Sequence, residues 1–147
     1  MKIASKFGSG FDKTDGRINH ALIPNSTPSV IRASVEGSLR RLQTDHIDLY
    51  FQHRIDPNTP PEVVAEVMAE LIKKGDITHW GISEANEEYI RRADAVCKVT
   101  AIENRYSMMA RGYESLFPVL EELAIGFVAF SPMANGFLSG KYNHNSV

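Results

Sequence analysis

The sequence predicts an α/β domain built from parallel (β/α) units, and three observations support this fold class. Strand-like and helix-like segments alternate along the 147 residues in the order βαβαβαβαβ. The strand-like segments are short and mostly apolar, as expected for a parallel sheet that is buried on both faces. Each strand-like segment also ends in polar residues, and ligands bind at the carboxyl ends of strands in this class of fold.

The amino-terminal part predicts one strand, a long loop and one helix. The strand is Lys2–Phe7, and the loop is Gly8–Asn25, in which glycine and proline stand among polar residues. Ser26 or Thr27 can cap the next helix, with Pro28 in its first turn. Apolar residues then recur every three or four positions on one helical face: Ile31, Val35, Leu39 and Leu42.

The rest of the chain predicts four more strands separated by helices. The strands are Ile47–Phe51, Ile77–Ser83, Val99–Asn104 and Gly126–Phe130. Pro60 and Pro61 open the first of the intervening helices, and Gly75 suits the position just after its end. Asn86 marks the start of the second helix, and Pro118 fits the first turn of the third.

Two architectures share this alternation of elements. Five strands could complete an open doubly wound sheet, or they could form part of a (β/α)8 barrel, which needs about 250 residues. The doubly wound alternative would be a compact monomer with helices on both sheet faces and an unrelated function.

Composition excludes several classes of function. Sixteen basic and eighteen acidic residues leave a net charge of −2, too weak a field to recruit nucleic acid or an anionic membrane. The longest apolar stretches are far shorter than the ~20 residues of a membrane span. The single cysteine, Cys97, cannot form an internal disulfide, so we expect a reducing, cytoplasmic location. The histidines form no metal-binding pattern, and no metal site is expected.

Polar residues stand at the carboxyl end of every predicted strand. They are Lys6, Gln52, His53, Ser83, Glu84, Glu103, Asn104 and Ser131. Taken singly, each is more often a surface or turn residue than a catalytic one. Taken together they are more informative, because the ends of parallel strands converge on one edge of the sheet. We therefore expect them to form one site.

Five segments resemble, in this order, the aldo-keto reductase family. They are IASKFG, IDLYFQHRID, HWGISEAN, AIENRYS and FVAFSPMANGFLSGKY. The resemblance covers essentially the whole chain, and the spacing of several separate blocks makes it specific. It implies that residues 1–147 form a single partial domain, an incomplete TIM barrel with about five of the eight strands, from the third to the seventh. It also implies NADP(H) as the cofactor and reduction of aldehydes and ketones to alcohols by hydride transfer.

The resemblance assigns roles residue by residue. Lys6 and His53 match two members of the family's Asp, Tyr, Lys and His tetrad, and this makes them the candidate catalytic residues. The aspartate and the tyrosine belong before the first residue, so we expect a fragment with impaired activity. Ser83 matches the serine that holds the nicotinamide carboxamide, and Glu84 and Glu103 stand where amides are often found.

The other expected cofactor-binding residues follow the last strand. Phe130 matches an aromatic residue that stacks on the nicotinamide. The next segment resembles the pyrophosphate-binding loop and supplies Ser131, Pro132, Met133, Asn135 and Gly136. Phe11, Arg54 and the Gly8–Asn25 loop are candidates for the substrate pocket, although an ordinary solvent-facing loop explains them equally well.

Two functional hypotheses stay open. In the first, the chain belongs to an NADPH-dependent oxidoreductase that acts on a small carbonyl substrate, with neither nucleic acid nor membrane as a partner. In the second, which the missing tyrosine favours, the chain is a truncated, non-catalytic module that binds a nucleotide or a protein partner. An unclosed barrel would expose two sheet edges, so self-association through those edges is also expected.

Overall fold

A computed structural model describes residues 1–11, 22–142 and 146, and its central feature is a five-stranded parallel sheet. In chain order the elements are β1 (Ala4–Phe7), β2 (Ser9–Phe11), β3 (Leu22–Pro24), α1 (Pro28–Leu42), β4 (Ile47–Gln52), α2 (Pro61–Lys74), β5 (Ile77–Ser83), α3 (Glu87–Val96), β6 (Ala101–Arg105), α4 (Phe117–Glu122) and β7 (Gly126–Phe130). A short 3₁₀ helix spans Glu114–Leu116, and Ala134–Ser139 forms 3₁₀-like turns that non-helical backbone at Asn135 and Gly136 interrupts. None of the described helices is both long and apolar enough to cross a membrane.

The strands of the sheet lie side by side in sequence order, β1-β4-β5-β6-β7, and each is parallel to its neighbour. Right-handed crossovers that all advance in the same direction place their helices on the same face. The predicted parallel (β/α) units are therefore confirmed. The doubly wound alternative is wrong, because it requires a reversal of strand order that brings helices to both faces.

The hydrophobic core lies between the sheet and the helices. Tyr50 and Trp80 stand opposite each other on β4 and β5 and are fully buried. Burial raises the pKa of the Tyr50 phenol to about 12. Because side chains alternate between the two faces of a strand, the residues next to these point away from the helices. We call this second face the open face; it carries Lys6, Phe51, Gly81, Ser83 and Glu103.

Helix ends follow the signals in the sequence. Gly75 ends α2 in the left-handed region with φ 87°, and its N–H donates to carbonyls in the last turn. Asn86 caps α3, its Oδ1 accepting from the N–H of Tyr89. Thr27 occupies the cap position of α1, but its hydroxyl donates to Asn25 Oδ1 at 2.9 Å and not to the helix.

Some predicted boundaries were wrong. The Gly8–Asn25 segment is not entirely a loop, because its described ends, β2 and β3, pair as antiparallel strands; residues 12–21 and the side chain of Phe11 lie outside the described part. The first strand begins at Ala4. Strand β6 begins two residues later than predicted because the N–H of Val99 donates to the Asp94 carboxylate at 2.8 Å, which ties that residue to α3.

Candidate active site

The strand register places the predicted residues of three strands on the open face. Lys6 pairs with Phe51 on β4, and His53 lies two positions after Phe51. The N–H of His53 still belongs to the β1–β4 ladder, with a 2.9 Å bond to a β1 carbonyl. On the next two strands, Ser83 stands opposite Glu103. Because residues two apart share a face, these side chains all project from the same side of the sheet.

Lys6 and Glu103 form an ion pair that links β1 to β6 across two intervening strands. Lys6 Nζ lies 2.8 Å from Oε1 and 2.7 Å from Oε2 of the carboxylate. The two residues are 97 positions apart in the sequence. The contact brings a candidate catalytic residue of the first strand against the strand that flanks Ser83.

Lys6 and His53 also line the same cavity. Its volume is about 370 Å³, and it extends from the end of β1 towards α1, where Ser34 and Arg41 form part of its wall. Gly8 lines it with φ +82°, and a Cβ there would stand 2.8 Å from Ser26 Oγ. The chain turns from β1 into β2 close to this cavity because position 8 has no side chain.

The electrostatic surroundings keep the imidazole of His53 neutral near pH 7. Partial burial lowers its pKa below the ordinary 6.5, and the nearby cations of Arg54 and Lys6 lower it further. The carboxylates of Glu103 and Glu84 act in the opposite direction but do not outweigh these effects. A neutral imidazole has one N–H donor and one acceptor nitrogen.

A second group of polar contacts surrounds Glu84; the sequence indicated Glu84, Asn104 and Arg54 as candidates but not the contacts between them. Arg54 Nη1 lies 3.3 Å from Glu84 Oε2 and donates to the carbonyl of His53 at 2.9 Å. Asn104 is fully buried, and its Oδ1 accepts from the Glu84 N–H at 2.7 Å. This bond holds Glu84 in the left-handed region with φ 53°. Burial, followed by the Glu84 charge, raises the pKa of Tyr113. The polar strand end at Asn104 was the signal available in the sequence.

The end of β7 forms a neighbouring part of the site. Phe130 pairs with Arg105, two positions beyond Glu103, and so lies on the open face. Arg105 and Ser131 line a second cavity of about 260 Å³. The predicted loop residues Pro132, Met133, Asn135 and Gly136 follow in a tightly turned segment. Ser131, Asn135 and Gly136 all have positive φ, and the Gly136 N–H donates to the Met133 carbonyl at 2.9 Å.

Within the described ranges, no group of three or more His, Cys, Asp or Glu residues is arranged to hold a metal ion. The family model of the aldo/keto reductase family matches residues 1–146. The chain belongs to the aldo/keto reductase family. This confirms the resemblance that the five sequence segments indicated, and it places the chain in a family of oxidoreductases.

Solved structures of aldo-keto reductases superpose on the chain. The glycerol dehydrogenase from Gluconobacter oxydans has a TM-score of 0.92 and 28% identity, covering 99% of this chain and 45% of that one. The holo form of an aldo-keto reductase from Bacillus halodurans has a TM-score of 0.84 and 30% identity, with 99% and 47% covered. A thermostable aldo-keto reductase in complex with epalrestat has a TM-score of 0.71 and 26% identity, with 76% and 42% covered.

This aldo-keto reductase chain spans less than half the length of the relatives that it matches. Those relatives are (β/α)8 barrels, so the five described parallel strands are an incomplete barrel, as the sequence predicted.

Proposed function

We propose that this chain supplies part of the site of an NADP(H)-dependent reductase that converts small aldehydes or ketones to alcohols. One observation carries the proposal. Lys6 and His53 come from different strands and line one cavity, and Lys6 also contacts the strand next to Ser83. The convergence of a cation, an imidazole and a buried hydroxyl at the carboxyl ends of barrel strands is typical of an active site.

The open face fits a nicotinamide group in part. Ser83 is 1% exposed, and its Oγ has no hydrogen-bond partner among the described residues, so it could pair with a carboxamide that reaches it. Phe130, further along the same face, offers an aromatic surface for stacking. Glu103 fits less well, because both its oxygens already accept from Lys6 and a carboxylate cannot donate to the carboxamide carbonyl. When bound, the cofactor would supply a hydride to the carbonyl carbon of the substrate.

The roles of Lys6 and His53 follow from their charges. The neutral imidazole of His53 can donate one hydrogen bond to a substrate carbonyl oxygen and so orient it. Lys6 lines the same cavity, and its ammonium, which is held by Glu103, would stabilise negative charge that develops on that oxygen. The proton that completes the alcohol would come from water.

The β7 end is the proposed phosphate-binding part. Positive φ values at Ser131, Asn135 and Gly136 turn the backbone sharply, and turns of this kind present N–H groups to an anion. Arg105 lines the same cavity as Ser131 and adds a positive charge. We assign Pro132 and Met133, which connect these positions, to the same loop.

Turnover and mutagenesis test the proposal. Consumption of NADPH is followed at 340 nm with 4-nitrobenzaldehyde and, because one relative is a glycerol dehydrogenase, with glyceraldehyde. We expect Lys6→Met and His53→Asn to lower the rate by about 10²-fold or more. The matched controls are Lys73→Met and His79→Asn, which change an exposed lysine of α2 and an exposed histidine of β5. Equal rates in all four variants would contradict the catalytic assignment.

The second candidate function is a nucleotide- or partner-binding module without turnover. The open face favours it, because Ser83 and Phe130 fit a nicotinamide group without any catalytic step. A change in NADPH fluorescence on binding, with no oxidation at 340 nm, would support this function over the first. Loss of the fluorescence change in Ser83→Ala would place the nucleotide on the open face.

We also propose cytoplasmic location and self-association, with neither nucleic acid nor membrane as partners. Among the described strands, β1 and β7 have a parallel neighbour on one side, so their other edges can pair with a second chain. Cys97 is a free thiol, in keeping with a reducing compartment. Sedimentation velocity should show species larger than the 16.4 kDa monomer. A well-behaved monomer with cooperative unfolding would contradict self-association.

A further inference from the structure

The position of Glu103 in the family pattern suggests a contact with the nicotinamide carboxamide, but its carboxylate has a different role in this structure. Both of its oxygens accept from Lys6 Nζ, at 2.8 Å and 2.7 Å. The Glu103 side chain is 13% exposed and that of Lys6 is 39% exposed, so the carboxylate is well shielded while the ammonium reaches solvent. Hydrogen bonds between an ammonium and a carboxylate are stronger than neutral ones, and shielding increases their strength.

The neighbouring carboxylate repeats this arrangement. Glu84 pairs with Arg54, which comes from the end of the preceding strand, at 3.3 Å. Both positions where the family pattern suggests an amide therefore hold an acid, and each acid faces a cation. The two pairs together are electrically neutral, and all four charges act on His53, which lies among them.

The geometry points to Glu103 as a positioning residue that fixes the Lys6 ammonium on the open face, and not as a ligand of the cofactor carboxamide. This inference deepens the proposed function. It rests on that function in one respect, because the Lys6–Glu103 pair matters for carbonyl reduction only if the chain takes part in that reaction. Both partners of the pair belong to the chain, so the pair can be tested in the absence of cofactor and substrate.

The test measures the chemical accessibility of the Lys6 amine. The chain without cofactor is treated with sulfo-N-hydroxysuccinimide acetate, and acetylation of each lysine is followed by peptide mass spectrometry. To react, the Lys6 ammonium must lose a proton and both hydrogen bonds to Glu103. We expect Glu103→Gln to speed acetylation of Lys6 by about two- to fivefold, since partly exposed ion pairs are worth up to about 1 kcal/mol.

Three comparisons make the result specific. Glu84→Gln removes the matched acid of the other pair and should leave the Lys6 rate unchanged. Glu103→Asp keeps the negative charge, so the rate of Lys6 acetylation should be nearer to that of the unaltered chain. Lys73, on the exposed end of α2, serves as the reference lysine in each digest.

An unchanged Lys6 rate in Glu103→Gln would overturn the inference. So would a rise shared equally by Lys73, because that result reports general unfolding. If the chain proves unable to reduce carbonyls, the proposed function fails while the acetylation result still decides whether Glu103 holds Lys6. If the chain is active and the pair is confirmed, Glu103→Gln should lower kcat more than it changes the KM for NADPH. A larger change in the KM for NADPH than in kcat would assign Glu103 to cofactor binding and contradict the inference.

Discussion

The ring of Phe51 lies against the backbone of Gly81 on the neighbouring strand. A Cβ at position 81 would stand 2.5 Å from Cε1 of the ring and 2.5 Å from the carbonyl oxygen of Ala101. Real side chains do not approach so closely, so the ring can occupy this place because residue 81 is glycine. Phe51 thereby fills the open face at the level of Lys6, its register partner.

The first prediction concerns this contact. Gly81→Ala should destabilise the fold by about 1–3 kcal/mol, the usual cost of inserting a methyl group into a closely packed site. Urea unfolding followed by the fluorescence of Trp80, the single tryptophan, measures the effect. Gly112→Ala is the matched control, because nothing lies within 4 Å of a Cβ at that position. Equal midpoints for the two variants would show that the ring does not occupy the space over Gly81.

The second prediction concerns Gln52, which is fully buried beside the site. Its Nε2 donates to Ser26 Oγ at 3.0 Å, and its Oε1 accepts from the Tyr89 hydroxyl at 2.9 Å. Burial raises the pKa of Tyr89 to about 12. Tyr89→Phe leaves the amide oxygen without this donor, so we expect a loss of about 1–3 kcal/mol in the free energy of unfolding.

Urea midpoints again provide the measurement for Tyr89→Phe. Tyr142→Phe serves as the control, because Tyr142 is 53% exposed and its hydroxyl can bond to water. A midpoint for Tyr89→Phe equal to that of the control would mean that the amide oxygen finds another donor at no cost.

The third prediction separates stability from binding at Ser83. Its buried hydroxyl has no partner in the described part of the chain, so Ser83→Ala should leave stability unchanged or raise it slightly. If Ser83 holds the carboxamide, the same variant should weaken NADPH binding by about fivefold, the value of one net hydrogen bond. Fluorescence titration measures the affinity, with Ser115→Ala, at an exposed position, as the control. Unchanged affinity would remove Ser83 from the cofactor site.

Much of this arrangement could be predicted from the sequence, because it depends on local pattern. The bounds of β5 and β7 are as predicted, since apolar runs and turn residues mark them. The two-residue period of a strand places His53 on the same face as Phe51, whereas the face that it shares with Lys6 also depends on the register of β1 against β4. The pairing of Lys6 with Glu103 was not predictable in this way. It depends on the order of strands in space and on the reach of two long side chains that are 97 positions apart.

The last prediction is that folding favours the neutral form of His53. Burial and then the cations of Arg54 and Lys6 lower its pKa below 6.5, whereas the unfolded chain titrates near the ordinary value. As the pH falls below 6.5, the unfolded state therefore takes up a proton that the folded state still refuses. The contribution of His53 to the free energy of unfolding therefore decreases as the pH falls from 6.5 to the pKa of His53 in the folded state. Below that pKa it decreases no further. His53→Asn should lack this component of the pH dependence.

Both cations and carboxylates surround His53, so the electrostatic part of its pKa shift can be tested directly by NMR titration of its ring protons. These protons are identified by their loss in His53→Asn. Lys6→Met removes a cation and frees the Glu103 carboxylate, so the titration midpoint should rise. Glu84→Gln removes an opposing acid, so the midpoint should fall. Shifts in opposite directions would show that the four charges control this imidazole. Unchanged midpoints in both variants would leave burial as the sole cause and would contradict an electrostatic role for the Lys6–Glu103 pair at His53.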